Sequence, residues 1–206
     1  RVVIVAPAVS AHGARVTDLA ELGHLARQHD ALLVVDLSQD FGVMGQDGCG
    51  VMEIQSCIGR ADLVLGCLEP ALGIIGGFAA WREPCLGESL RRHLPAASLL
   101  QSERAAAALA TAAMVFGPEG RHRRRKLHGL SLRLRNHLMA DGPRISGSAA
   151  PFVPVLLPLL TALPRTALLE SAGPRVSLLT APRDPLHAPR WRIELSAGLS
   201  LADIDN

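Results

Sequence analysis

The sequence predicts an α/β fold with a mainly parallel sheet, followed by a smaller α+β unit. Two short β-branched runs, 2–6 and 31–36, do not alternate with polar residues, which is typical of buried parallel strands. A helix-like segment lies between them. The last third of the chain changes character, because its short strand-like runs are separated by proline-rich turns.

The first half is expected to alternate strands with helices. Between the first two strands, apolar residues recur at three- and four-residue spacing, which predicts a helix with one apolar face and Thr17 as its N-cap. The apolar positions are Leu19, Leu22, Leu25 and Ala26. Strand, helix and strand in this order form a βαβ unit, which is right-handed almost without exception. Further strands are predicted at 62–65 and 77–81.

The second half begins with two predicted helices, 103–116 and 119–139, the first of which is rich in alanine. Strands are predicted to follow at 152–157, 176–179 and 191–195, with a short helix at 165–171. We place a domain boundary near residue 117, which gives a partial large domain, 1–117, and a C-terminal α+β domain, 118–206. Both ends are expected to be truncated, since the chain opens directly in a strand-like run.

The composition is that of a globular protein. Of 206 residues, 49% are hydrophobic, which is ample for a packed core, and the net charge is +2. The four cysteines lack C-x-x-C spacing, so they predict neither a disulfide framework nor a metal site, and reduced thiols favour a cytoplasmic location. The longest apolar stretches are broken by prolines, so we expect no membrane span.

Two segments place the chain in a family. Residues 36–51 read D-L-S-Q-D-F-G-V-M-G-Q-D-G-C-G-V, and residues 61–78 read A-D-L-V-L-G-C-L-E-P-A-L-G-I-I-G-G-F. They resemble V-D-E-A-H-x-x-G-x-x-G-x-x-G-x-G and D-x-x-x-G-T-x-x-K-A-L-G of the α-oxoamine synthases. These pyridoxal-phosphate (PLP) enzymes condense an amino acid with an acyl-CoA. The resemblance implies fold type I, with a partial aspartate-aminotransferase-like large domain followed by a small C-terminal domain.

The resemblance also implies roles for three residues at the cofactor. Asp36 matches the aspartate that pairs with the pyridine nitrogen and keeps it protonated. Gln39 falls at the family's histidine, where an amide donates a hydrogen bond but does not titrate near neutrality. Cys67 falls at the family's threonine or serine near the phosphate, although a buried structural thiol is the favoured interpretation.

Pro70 stands at the position of the family's Schiff-base lysine. A Schiff base needs a primary amine, and proline offers neither a side-chain amine nor a backbone N–H. Only one of the 21 basic residues is a lysine. That residue, Lys126, lies in a basic helical run where side chains are usually solvated. The sequence therefore predicts no covalent anchor for the cofactor and no catalytic residue.

Arg190, in A-P-R-W-R-I-E-L-S-A, matches the family's arginine that grips the amino-acid carboxylate. Guanidinium suits this task because it can donate two parallel hydrogen bonds to a carboxylate. The alternative is an ordinary arginine on an edge strand. Arg192 is the weaker candidate, and we expect it on the opposite face of the strand.

Several functions stay open on this basis. The chain is predicted to be a degenerate α-oxoamine synthase that is inactive alone and forms a homodimer or a heterodimer with a catalytic homologue. It also resembles the lysine-less subunit of serine palmitoyltransferase, which implies a supporting role. An active acyltransferase that uses amino acid, acyl-CoA and non-covalent PLP is a third possibility, and a gene remnant a fourth.

The basic run 121–126 carries five positive charges in six residues, a pattern that can indicate contacts with nucleic-acid phosphates. The chain has 3% aromatic residues, no tyrosine and no recognisable base-reading module. We therefore favour a solvated helix face and expect no nucleic-acid partner.

Overall fold

The structure, a computed structural model, describes residues 2–93, 101–140, 142–171, 176–180 and 188–205. Its first sheet consists of the strands β1 (Val3–Pro7), β2 (Leu32–Asp36), β3 (Leu63–Cys67) and β4 (Gly77–Trp81). The strand order is β1–β2–β3–β4, with the first three strands parallel and β4 antiparallel to β3. All four lie within two residues of their predicted bounds.

Burial differs between the first two strands. The buried Leu33 and Val35 alternate along β2 with partly exposed residues. In β1, at the edge of the described sheet, Val3 and Val5 are more than half exposed. The prediction of a buried strand is therefore wrong for β1, because Val3 and Val5 point to the same, exposed face, whereas Ala6 on the other face is buried.

The helix between β1 and β2, α1 (Leu19–Gln28), buries Leu19 and Ala26 as the apolar spacing predicted. Its N-cap is Asp18 and not Thr17. The Asp18 carboxylate accepts the N–H of Glu21 at 2.9 Å, while the Thr17 hydroxyl donates to the carbonyl of Pro7 at 2.6 Å.

Three short helices follow that the sequence analysis did not predict. They are α2 (Gly50–Ile54), α3 (Glu69–Leu72) and α4 (Pro84–His93). Two longer helices, α5 (Ser102–Val115) and α6 (Pro118–Ala140), confirm the predicted pair.

The chain divides into two compact units, one formed by Arg1–Val9 and Val16–Arg124 and the other by Ser10–Arg15 and Arg125–Asn206. The division falls within α6, and the predicted boundary near residue 117 stays a prediction. None of the described helices combines the length and apolar composition that crossing a bilayer requires.

The second unit contains an antiparallel sheet of order β5–β7–β6. Its strands are β5 (Phe152–Leu156), β6 (Ser177–Leu179) and β7 (Arg190–Glu194). The helices α7 (Ala162–Ser171) and α8 (Ala202–Asp205) complete it. Pro154 is tolerated because β5 is an edge strand of this sheet. The core includes Phe152, Val153 and Leu130, each almost fully buried.

Candidate functional site

Asp36 is the last residue of β2, at the carboxyl edge of the parallel strands. Its register partner on the neighbouring strand β3 is Leu65, whose carbonyl accepts the N–H of Leu37 at 2.8 Å. The half-buried carboxylate accepts the N–H of Ser38 at 2.8 Å through Oδ1, which forms a tight turn. No described residue donates a hydrogen bond to Oδ2. Asp36 therefore keeps one acceptor oxygen at the edge where open α/β sheets bind ligands.

The structure brings Gln39, Cys67 and Pro70 to the same edge of the sheet. Gln39 follows β2 closely and is half-buried. Cys67 ends β3 with an exposed thiol, so the prediction of a buried structural cysteine is wrong. Pro70 is exposed in the first turn of α3, where its missing N–H sacrifices no helical hydrogen bond.

The segment 42–49, here called the glycine loop, packs against α3 beside Pro70. Gly42 has a φ of 75°, and a Cβ added there would lie 2.2 Å from the Cβ of Ala71. No side chain fits into this gap. Next to this contact, the ring of Phe41, which precedes the loop, lies against the ring of Phe78 on β4, with centroids 4.6 Å apart. The loop that follows Asp36 and the helix that carries Pro70 are therefore packed directly on each other.

Asp40 is a fully buried acid within this region. Its Oδ2 accepts the N–H of Val51 at 2.7 Å, whereas Oδ1 has no hydrogen-bond partner among the described residues. Burial raises the pKa of Asp40 to about 7; the Val51 hydrogen bond lowers it, and the charge of Asp36 raises it. Asp40 was not predicted as a site residue, because nothing in D-L-S-Q-D shows which aspartate is buried.

Two charged residues outside the predicted site hold the glycine loop. Arg124 on α6 donates to four backbone carbonyls, three of them in the loop, and Glu53 on α2 accepts three loop N–H groups. Burial lowers the pKa of Arg124. The sequence carried one signal for Arg124, because it is in helical phase with the buried Leu127 and Leu130.

Two further arginines of the basic run have protein partners as well. Arg121 pairs with Asp47 at 2.9 Å, and Arg123 with Glu119 at 2.7 Å, both on the surface. Both pairs lie on the surface, as a solvated helix face predicts, whereas Arg124 is buried and departs from that prediction. The described residues contain no group of three or more histidine, cysteine and acidic side chains placed to hold a metal ion.

No protein-family model matches the chain. The 8-amino-7-oxononanoate synthases of Cupriavidus pinatubonensis and Anaeromyxobacter sp. are 33% and 30% identical to it, over 98% and 100% of its length. The chain belongs to the α-oxoamine synthase family. It covers 51% and 52% of these two relatives, so it spans about half the length of the curated proteins it matches.

Solved structures of α-oxoamine synthases share the fold. A serine palmitoyltransferase from S. paucimobilis, solved as a lysine-to-alanine variant with bound PLP–myriocin aldimine, has a TM-score of 0.89 at 24% identity. The match covers 98% of this chain and 52% of that one. An 8-amino-7-oxononanoate synthase from Francisella tularensis has a TM-score of 0.84 at 18% identity, covering 100% and 60%. The fold is thus part of a fold type I large domain followed by a small α+β unit, as predicted.

Arg190, the family's expected carboxylate-binding arginine, lies in the second unit and is 7% exposed. It donates to the carbonyls of Ala188 and His12, through Nε and Nη2 to the former and Nη1 to the latter, at 3.0 to 3.3 Å. A guanidinium has five N–H donors. Two of them, one on each Nη atom, therefore have no partner among the described residues.

Arg192 lies on the same face of β7 as Arg190, so the expectation of opposite faces is wrong. Residues two apart in a strand point the same way. In agreement, Arg192 donates to the carbonyl of Ala11, the neighbour of the His12 carbonyl bound by Arg190. Its guanidinium also covers the ring of Phe152 at 3.6 Å.

Proposed function

We propose that this chain is a degenerate PLP-dependent acyl-CoA:amino-acid C-acyltransferase that is inactive alone. The observation that carries the proposal is Pro70, which stands where the family has its cofactor-anchoring lysine and which lies on α3 at the carboxyl edge of the sheet. Proline has no amine to react with an aldehyde. The chain's only lysine, Lys126, is exposed on α6 and interacts favourably with the charge of Asp203.

The residues present could make a non-covalent contact with PLP but could not form the covalent Schiff-base link to it. Oδ2 of Asp36 is available to accept a hydrogen bond from a protonated pyridine nitrogen. When bound, such a ring serves as an electron sink for a carbanion. The Gln39 amide can donate a hydrogen bond without exchanging a proton, and the Cys67 thiol is a weak donor. Asp36 and Gln39 would therefore hold the group, and no residue here would anchor it.

Arg190 would bind the carboxylate of an amino-acid substrate through its two remaining N–H donors. Its other donors are fixed by backbone carbonyls, which orient the guanidinium before a ligand arrives. Preorganised donors lose little entropy on binding. This role rests on the family resemblance and on the burial of Arg190.

The serine palmitoyltransferase variant supports the non-covalent part of the proposal, since that protein holds a PLP–myriocin aldimine with one lysine replaced by alanine. A supporting subunit is our second candidate function. In that role the chain would form a heterodimer with a catalytic homologue that supplies the lysine. The resemblance to the lysine-less subunit of serine palmitoyltransferase favours this role. The cytoplasmic location stays a prediction.

The decisive experiment compares the chain with its Pro70→Lys variant after incubation with PLP. Borohydride reduction followed by peptide mass spectrometry detects any covalent protein–cofactor link. We expect a link at position 70 in the variant and none in the natural chain. Acyltransferase activity is measured separately, as release of CoA thiol from an acyl-CoA with glycine, serine or alanine.

Each outcome decides between the candidate functions. A covalent link in the natural chain, or CoA release without a partner, would overturn the proposal of an inactive relative, and CoA release without a link would favour non-covalent catalysis. Lys126→Arg in the Pro70→Lys background is the control that assigns the link to position 70. Co-expression with a lysine-bearing homologue, followed by co-purification, tests the supporting role.

A further inference from the structure

Arg124 is a buried cation that forms no salt bridge with the described acidic residues but binds several backbone carbonyls. It is 6% exposed and donates to Gly42 at 3.3 Å, Gly45 at 3.2 Å and Gln46 at 2.8 Å, all in the glycine loop. A fourth bond, at 2.6 Å, reaches the carbonyl of Val115 at the end of α5. Charge-assisted hydrogen bonds are about twice as strong as neutral ones. The carbonyl side of the loop is thus tied to a single side chain.

Glu53 binds the amide side of the same loop. Its carboxylate accepts the N–H groups of Gln46 at 2.7 Å, Asp47 at 2.9 Å and Cys49 at 3.0 Å. Burial works to raise the pKa of Glu53, but these three N–H groups and Arg124 outweigh it and lower that pKa. Gln46 is bound on both sides, since its carbonyl meets Arg124 and its amide meets Glu53.

The glycines of the loop leave the room that these two side chains occupy. A Cβ at Gly45 would lie 2.5 Å from Oε2 of Glu53, and one at Gly48 would lie 3.1 Å from Nη1 of Arg124. Both glycines also have φ above 80°, which other residues rarely adopt. The loop sequence and the two charged side chains are therefore matched to each other.

Gly42 links the loop contacts of Arg124 to the candidate site. Its carbonyl is held by Arg124, while its Cα faces Ala71, the residue next to Pro70. Phe41, one residue earlier, contacts Phe116 as well as Phe78. A loop that loses Arg124 or Glu53 would release its contact with α3, and Gln39 lies only three residues before Gly42.

We propose that Arg124 and Glu53 are positioning residues, which hold the glycine loop between opposite charges and thereby fix α3 and Gln39 relative to Asp36. In its consequence for PLP, this inference rests on the function proposed above. Neither side chain touches a ligand in this role. Both act through the backbone of residues 42–49.

The test uses Arg124→Lys and Glu53→Gln, which keep most of each side chain but remove the guanidinium fork or the negative charge. Matched controls are Arg123→Lys and Glu119→Gln, which change the exposed ion pair on the surface of the same helix as Arg124. Amide hydrogen exchange is followed for residues 42–50 and 68–76. We expect both segments to exchange about tenfold faster in the test variants, the effect of losing one charge-assisted hydrogen bond, and no change in the controls.

A second readout separates positioning from mere folding. PLP is titrated into each variant, and its dissociation constant and induced visible circular dichroism at saturation are recorded. We expect about tenfold weaker binding and an altered dichroism signal in both test variants. Unfolding in urea shows whether each variant is folded under these conditions; if Arg124→Lys is not, Glu53→Gln decides.

The outcomes distinguish this inference from the proposed function. Faster exchange confined to residues 42–50, with 68–76 unchanged, would overturn the positioning role, as would unaltered exchange in both segments. PLP that binds normally to the test variants would do the same. If PLP binds neither the natural chain nor Pro70→Lys, the proposed function fails, and exchange in 68–76 alone decides whether the two charged residues position α3.

Discussion

The glycine loop and the segment that carries Pro70 lie side by side, yet they are stabilised in opposite ways. The loop is fixed by two charged side chains that bind its carbonyls and amides. Residues 67–77 make no side-chain hydrogen bond with the part of the chain that the structure describes; the N–H groups of Leu68, Leu72 and Gly73 donate to backbone carbonyls. The exposed Cys67, Pro70 and Ile75 belong to this second segment.

The contacts that hold the glycine loop do not involve the side chain at position 70. Nothing in the packing around α3 requires an amine at position 70, because that side chain is exposed. The loop, in contrast, needs glycine at several positions and a buried cation. A chain can therefore keep the shape of the site while lacking its reactive group.

The largest effect is expected from a methyl group added at the contact between the glycine loop and α3. Gly42→Ala should lower the free energy of unfolding by about 3–5 kcal/mol, because alanine disfavours a left-handed backbone and its Cβ would overlap Ala71. Urea unfolding measures this. The control is Gly73→Ala, also at positive φ but with open space around it, which should cost about 1–2 kcal/mol. Equal losses would contradict the packed contact.

Asp40, two residues before the glycine loop, tests whether a buried carboxyl group beside the loop titrates near neutral pH. Its folded pKa of about 7 lies above the ordinary value of an unfolded aspartate, so the folded state binds more protons between these values. Stability should therefore fall as pH rises from about 4 to 7, by about 2–3 kcal/mol between pH 5 and 8 from this group.

Asp40→Asn removes the titrating group but keeps an acceptor for the Val51 N–H. Its stability relative to the natural chain should rise between pH 5 and pH 8, as measured by urea unfolding at both values. Asp47→Asn, at an exposed position, is the control. A constant difference between Asp40→Asn and the natural chain would mean that Asp40 does not titrate in this range.

Residues 67–77, which include Pro70, should tolerate substitutions that the glycine loop does not. We expect Pro70→Lys to alter the free energy of unfolding by less than about 1 kcal/mol, because the residue is exposed in the first turn of a short helix. Thermal unfolding of both proteins measures it. A loss of several kcal/mol would show that Pro70 is structurally required, which would weaken its use as evidence for a lost reactive group.

The smallest effect is expected at the surface of α6. Arg121→Ala removes an exposed pair with Asp47 and should cost about 0.5 kcal/mol, less at high salt. Arg124→Ala, three residues along the helix, should cost several times more, since it leaves four carbonyls without their donor. Similar losses in parallel urea titrations would contradict the distinction between the buried and the solvated arginine.

Much of the fold could be predicted from local patterns. The β-branched runs and the alanine-rich helix are determined by residues close in sequence, and Gly77–Trp81 was predicted to the residue. The short helices α2 and α3 were missed because each has five residues or fewer and so too little periodicity to detect. For α1, Asp18 and Thr17 are both good caps, and only the contact of Thr17 with Pro7 separates them.

The sequence shows that position 70 has no side-chain amine, and this follows from covalent chemistry alone. It also determined the order of strands and helices that brings Asp36 to the carboxyl edge. The tertiary structure was needed to show which charged residues are buried and what they bind. Arg124 and the carbonyl of Gly45 are 79 residues apart in the chain. Their contact depends on how the elements pack, which no local pattern encodes.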